Sequence, residues 1–381
     1  MVLLIAAIAL AASLVHPPAA PTTRQLAAGK ALPQTLFTSS RPIEAFAQDG
    51  PLLAWFTPSV KTCNAVWVLS LNNGGRIRLP DQTSTAHNVT CGWEVAPPVH
   101  LAIAGADVLW TLHEKQAPLQ FDYVLGAGVS DTSERRLQPV AHTKRGAGLW
   151  LAGIAGDSIG AGPNAISTLA YGTTSVQFVD EIACLSSDIC TMKISGGGVY
   201  RVVGRQRPVL VPNTRPAVAL AVSGSTVAYV PAAGTSARGV PVAAADLPVE
   251  LVDVRSGGLI AHVAPEGTPV AIALAPHVLV VLARTPTGST LAWYSTTTGA
   301  RLGSVAVPRS TLPELSANDR LAVFRIGRFI HLLTFATSHS RTVAETAGAP
   351  IGVSLEGNRL AWAENVKGHG RIRALSVSRH G

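Results

Sequence analysis

Helical periodicity is missing from this chain: after the N-terminal residues no apolar pattern of period 3.6 persists for three turns, which excludes helical bundles and doubly wound α/β folds. Charge is scarce too. Charged residues make up 14% and hydrophobic ones 47%, so the chain is too apolar to remain disordered and can bury a sizeable core. The usual signatures of metal chemistry are absent. There is no H-x-x-x-H pair beside a glutamate, no D-x-[DN]-x-[DN]-G calcium loop and no closely spaced cysteine pair of the zinc type, so no cofactor is expected. No specific nucleic-acid signal stands out either.

What is present is punctuation. Thirty-five Gly and 26 Pro, spread along the chain, favour many short strands joined by turns. A turn residue followed five positions later by the outer part of an apolar strand recurs: Gly50 to Trp55, Gly105 to Trp110, Gly224 to Tyr229, Pro276 to Val281, Asn318 to Val323 and Gly357 to Trp362. A seventh unit runs from Gly156 to Tyr171 with extra residues in its turn. The units read as four strands each, the first as Ile43–Phe46, Leu52–Phe56, Ala65–Leu71 and Arg76–Leu79, its last hairpin turning at Asn73-Gly74-Gly75. A supersecondary unit repeated in this way predicts an all-β, seven-bladed β-propeller of four-stranded antiparallel blades. The final unit has only three strands, whereas Lys30–Phe37 is an orphan of strand-like composition, so the N-terminal strand is expected to close the ring beside Arg371–Val377.

Units such as LEGNRLAWAENVKGHGRIRALSV and SANDRLAVFRIGRFIHLLTF resemble the repeats of TolB-type and WD-type β-propellers, over roughly residues 41 to 377. The regular Gly-His and Trp-Asp pair of the WD signature is missing. The resemblance implies a propeller that presents binding surfaces to partners and carries no shared catalytic set.

Residues 1–23 begin with an apolar run, MVLLIAAIALAASLV, and end in small residues and prolines, as in a secretory signal peptide or an N-terminal anchor. A single propeller domain is expected from residue 24 to 381, outside the cytoplasm, with membrane contact only through the N-terminal segment if uncleaved. Four cysteines fit export, and disulfides Cys63–Cys91 and Cys184–Cys190 are expected. The formal charge is +8, and eleven Arg or Lys against five acids from Arg301 onward place +6 of it in the last two units. Arg325, Arg328, His369, Arg371 and Arg373 are therefore candidates for an anion-binding patch.

Gly156-Asp157-Ser158-Ile159-Gly160 matches the G-x-S-x-G pattern of a nucleophile elbow, but Gly160, Gly162 and Pro163 oppose the helix an elbow needs, and no D-x-x-H follows. Alignment with the other units puts Gly156-Asp157 in the turn between the first two strands of blade three. The Trp and Tyr residues of the repeat are expected to pack between blades. The expected function is a non-catalytic, monomeric binding or scaffold module for a protein or an anionic envelope polymer. The alternative is a propeller-based hydrolase or lyase whose residues converge on the central channel, and at least two carboxylates or a His-carboxylate pair within hydrogen-bond reach at the channel mouth would point to it.

Overall fold

Trp55, Trp110, Tyr171, Tyr229 and Trp362, the aromatic residues of the repeat, each expose 1% or less of their surface. They fill the gaps between neighbouring blades, as the repeat predicts. In the computed structural model, residues 32–58, 65–79, 99–116, 119–128, 135–143, 147–159, 166–179, 191–203 and 206–377 are described. Among these the structure is nearly all strand, and from Pro33 onward the chain forms one unit, a seven-bladed propeller.

Chain order builds the blades one after another. Blade one is β2 (Ala45–Asp49), β3 (Leu52–Thr57), β4 (Ala65–Ser70) and β5 (Arg76–Leu79). Blade two is β6 (Leu101–Ala104), β7 (Asp107–Gln116), β8 (Leu119–Gly128) and β9 (Arg135–Thr143), and blade three is β10 (Gly148–Ile159), β11 (Ile166–Phe178), β12 (Met192–Val202) and β13 (Val209–Leu210). Blade four is β14 (Ala217–Ser223), β15 (Thr226–Pro231), β18 (Val249–Asp253) and β19 (Leu259–Val263), with a small hairpin, β16 (Gly234–Thr235) and β17 (Pro241–Val242), inserted before β18. Blades five and six are β20 (Thr268–Leu274) to β23 (Arg301–Val307) and β24 (Thr311–Ala317) to β27 (His339–Glu345). Blade seven holds β28 (Ile351–Glu356), β29 (Arg359–Val366) and β30 (His369–Ser376), and takes β1 (Gln34–Ser39) as its fourth, outer strand.

The ring closes as the incomplete last unit predicts. β1 pairs antiparallel with β30, from Gln34 opposite Ala374 to Ser39 opposite Gly370, shifted a little toward the C-terminus of the expected Lys30–Phe37. Phe37 packs on Trp55 with ring centroids 4.5 Å apart, and Asn365 mimics a strand partner by accepting from Ile43 N and donating to Ile43 O, both at 2.8 Å.

The core is divided rather than continuous. Seven hydrophobic clusters are found, one in each gap between blades, from Trp110 with Phe56 between blades one and two to Trp55 with Ile372 between blades seven and one. Each blade buries both faces, as a stacked array requires.

Two details depart from the sequence reading. Blade three does not carry a long irregular turn after Gly156; the extra residues lengthen the hairpin, so that Asp157 pairs with Thr168, Ser158 with Ser167 and Ile159 with Ile166. Gly156-Asp157 is thus strand, because a register that alternates cleanly continues the ladder. In blade six the turn is Asp319-Arg320, with Asn318 N bonded to Leu321 O, which slides the pattern by one residue. Phe324, not Val323, takes the place of Trp55 and packs toward blade five. Blades two and three also join into one eight-stranded sheet through a single β9–β10 pair, Gly148 opposite His142.

Candidate functional site

The seven inner strands line a central channel. At one level of it the side chains are Ala47, Ala102, Ala155, Ala221, Ala273, Ser316 and Ser354, one from each blade, each placed opposite the residue just before the repeat's aromatic position. Small side chains there leave the centre open, with a cavity of about 260 Å³.

Two residues further along each inner strand the chain reaches its first turn, here called the AB turn. The residue at this level is Asp49, Ala104, Asp157, Ser223, Ala275, Asn318 or Glu356 around the ring, in blade three with the hairpin running on to Ile159, and the carboxylates of blades one, three and seven share a mouth pocket of about 400 Å³. Gln48, Ser158, Ser223 and Asn318 add polar atoms to its wall.

Both aspartates are tied to a neighbouring turn. Asp49 Oδ2 accepts from Gly105 N at 2.5 Å and from Ser158 Oγ at 2.5 Å, while Asp157 Oδ2 accepts from Gly224 N at 2.7 Å. Glycine is needed at both turns: φ is +53° at Gly105 and +56° at Gly224, and a Cβ there would meet Ser167 Oγ or Ile159 Cδ1 of the lengthened hairpin. Other blades are stitched with different groups. Asn318 Nδ2 donates to Gly357 O at 2.8 Å, His277 N donates to Asp319 Oδ1 at 2.8 Å, and Arg359 donates from Nε to Gln48 Oε1 at 3.0 Å and from its other end to Gly50 O.

Glu356 is treated differently. Among the described residues no donor reaches its carboxylate, and burial, together with the charges of Asp49 and Asp157, pushes its pKa up to about 7 against the partial opposition of Arg359. Burial also raises Asp157, with Asp49 adding to it, while hydrogen bonds from Gly224, Ser223 and the Ser158 backbone act the other way.

The basic residues singled out in the sequence lie at or toward the other end of their blades, near the turns between second and third strands. Arg325 pairs with Glu314 at 2.7 Å, Arg328 with Glu345 at 2.5 Å, and Arg371 with the fully buried Glu364 at 2.7 Å. Arg373 lies 3.6 Å from the same Glu364 oxygen and donates to Pro33 O at 2.6 Å. His369 is exposed at the start of β30. The guanidinium groups named as anion-binding candidates therefore each face a carboxylate of the chain itself. Cys63, Cys91, Cys184 and Cys190 lie outside the described residues. Ser158 is brought to the mouth but meets an aspartate and no histidine.

The carboxylate trio was missed in the sequence although a signal exists. Asp49 and Glu356 both lie six residues before the aromatic residue of their unit, as Ala104 does before Trp110 and Ser223 before Tyr229. Asp157 belongs to the same set, but the lengthened hairpin moves it fourteen residues from Tyr171.

No protein-family model matches the chain, and no curated protein does. Solved propellers do align. The acylaminoacyl peptidase of Pyrococcus horikoshii shares 9% identity over 91% of this chain and 53% of its own length, with a TM-score of 0.51. The likeness is one of fold. The β-propeller domain of the Trilobed protease from Pyrococcus furiosus, described as having an open velcro topology, aligns with 8% identity over 88% of this chain and 95% of that one at a TM-score of 0.50. BamB from Moraxella catarrhalis aligns at 12% identity over 89% and 84% with a TM-score of 0.44, and bears on nothing beyond this.

Proposed function

We propose that this protein is a non-catalytic propeller that acts outside the cytoplasm as a binding or scaffold module, presenting its turns and loops to a protein or an anionic envelope polymer. One observation carries the reading: the polar groups that meet at the channel mouth hold blades together. Asp49 and Asp157 give their oxygens to turn N–H groups of the next blade, and Arg359 gives its donors to Gln48 and Gly50. A rigid ring with variable loops suits recognition. Export is supported by the apolar N-terminal run and the even cysteine count.

A second reading is favoured by the carboxylates that share the mouth, Asp49, Asp157 and above all Glu356. A carboxyl group pushed up to about 7 beside two further carboxylates has the poise of a general acid, as a channel-based hydrolase or lyase would need. The two readings separate in one experiment with purified protein. Affinity capture from a native envelope fraction, followed by reconstitution with the captured partner, supports the module. Turnover of a glycoside or ester substrate that disappears in both Asp157→Asn and Glu356→Gln supports the enzyme and overturns the module.

A further inference from the structure

Ring closure and the acidic mouth meet at one place. Blade seven ends its inner hairpin at Glu356 and Arg359, and this hairpin lies against blade one, where Gln48 Nε2 donates to Ser354 O at 2.9 Å and to Arg359 O at 3.2 Å. Arg359 is the only cation on this hairpin turn, and its hydrogen bonds go to Gln48 and Gly50, so that among the described residues no donor reaches Glu356. The groups facing Glu356 are Asp49 from blade one and Asp157 from across the mouth. On the blade six side, the adjoining turn offers Asn318, whose amide is used by Gly357 O, Asp319, which is held by His277 N, and Arg320.

The seam is thus bonded through Arg359, while the residue three positions earlier faces two carboxylates and is offset only in part by the Arg359 charge. Such an arrangement has two charge states with different mechanical consequences. With Glu356 neutral, the turn of blade seven packs into the mouth. With Glu356 ionised, three negative charges share one pocket and repel across the junction between the first and last blades.

We propose that the channel mouth is a proton-operated latch, in which ionisation of Glu356 loosens the blade seven hairpin from blade one and opens the channel at the AB-turn face. The burial that raises the Glu356 pKa also sets the working range. A carboxyl that titrates at its ordinary 4.5 when released and near 7 when packed makes opening more frequent as pH rises between those values and constant above them.

Hydrogen exchange measured by mass spectrometry tests this on the full chain. After correction for the intrinsic pH dependence of exchange, peptides covering residues 43–57 and 351–366 should exchange about 10- to 100-fold faster at pH 7.5 than at pH 5, whereas peptides of blade five, residues 268–307, should not change. Glu356→Gln should hold the slow rate at both pH values. Asp157→Asn, which removes one facing charge, should shift the midpoint of the transition to lower pH. Seam exchange in the wild type that does not depend on pH overturns the latch, and so does a Glu356→Gln protein with the wild-type transition. If Glu356→Gln fails to fold, the wild-type transition and its shift in Asp157→Asn still decide.

Discussion

The two ends of the ring handle buried carboxylates in opposite ways. Away from the AB turns, Glu364 receives Arg371, Arg373 and Ala347 N, Glu314 receives Arg325, and Glu250 receives Arg215 and the Tyr229 hydroxyl. At the AB mouth, Asp49 is held by a backbone N–H and the Ser158 hydroxyl and Asp157 by a backbone N–H, whereas among the described residues no hydrogen-bond donor reaches Glu356. Paired charge at one end contributes cohesion where two donors converge, as at Glu364, although burial still outweighs the partner at Glu314. Clustered like charge at the other end stores repulsion that only protons relieve. The +8 of the whole chain therefore says little about either end, since Arg325, Arg328, Arg371 and Arg373 in the last blades already face acids of their own blades.

Opening the ring should have the largest effect on this comparison, because both ends depend on closure. Removal of residues up to Ser39 strips β1 from β30 and Phe37 from Trp55, with a loss of several hydrogen bonds worth roughly 1 kcal/mol each as well as apolar burial. Against a total of about 5–15 kcal/mol, aggregation or a fall in Tm of more than about 10 °C is expected in a thermal melt. A variant that melts like the wild type would show that β1 does not carry the closure.

Next in size is Glu364→Ala at the paired end. It leaves Arg371 and Arg373 facing a buried void, and urea unfolding should show a loss of about 3–5 kcal/mol. Arg359→Ala cuts the donors that join blade seven to blade one at the mouth, with an expected cost of about 1–3 kcal/mol. Equal costs for these two would erase the distinction between a cohesive end and a strained one. Smallest is Ser158→Ala. It removes one hydrogen bond to Asp49, costs about 1 kcal/mol or less, and leaves any esterase activity of the purified protein unchanged. Labelling of Ser158 by a serine-directed phosphonate would contradict this.

Much of the architecture was legible because it repeats. The turn-to-aromatic spacing located the blades, and the missing strand of blade seven pointed to β1. The mouth was harder to read, for a physical reason visible at Asp157: lengthening a hairpin by ladder pairs keeps the strand register but breaks the linear spacing that aligns Asp157 with Asp49 and Glu356. Blade six misled by one residue because its two-residue turn starts at Asp319, one position later than the repeat suggests. The partners of the arginines were not legible because they lie on neighbouring strands: Glu364 stands directly opposite Arg371 in the β29–β30 ladder, a neighbour that only a register reveals.

The pH dependence of stability follows from the same asymmetry. Glu356, Asp157, Glu44 and Glu314 all hold protons more tightly folded than unfolded, so their contribution is full below the ordinary carboxyl range and is lost as pH rises through the raised values. Asp253, lowered mainly by hydrogen bonds from Ser256, works in the other direction, and its contribution is lost only in stronger acid. The protein should therefore be more stable near pH 5 than at pH 8.

The most direct measurement sets Glu356→Gln beside Glu364→Gln in thermal melts at pH 8. Loss of charge at the mouth removes repulsion and should raise stability by about 1–3 kcal/mol, while the same change at the paired end leaves two arginines short of an anion and should lower it by a similar amount or more. Opposite signs are the predicted result. A shift of the same sign in both variants would contradict the division of this ring into a strained mouth and a cohesive opposite end.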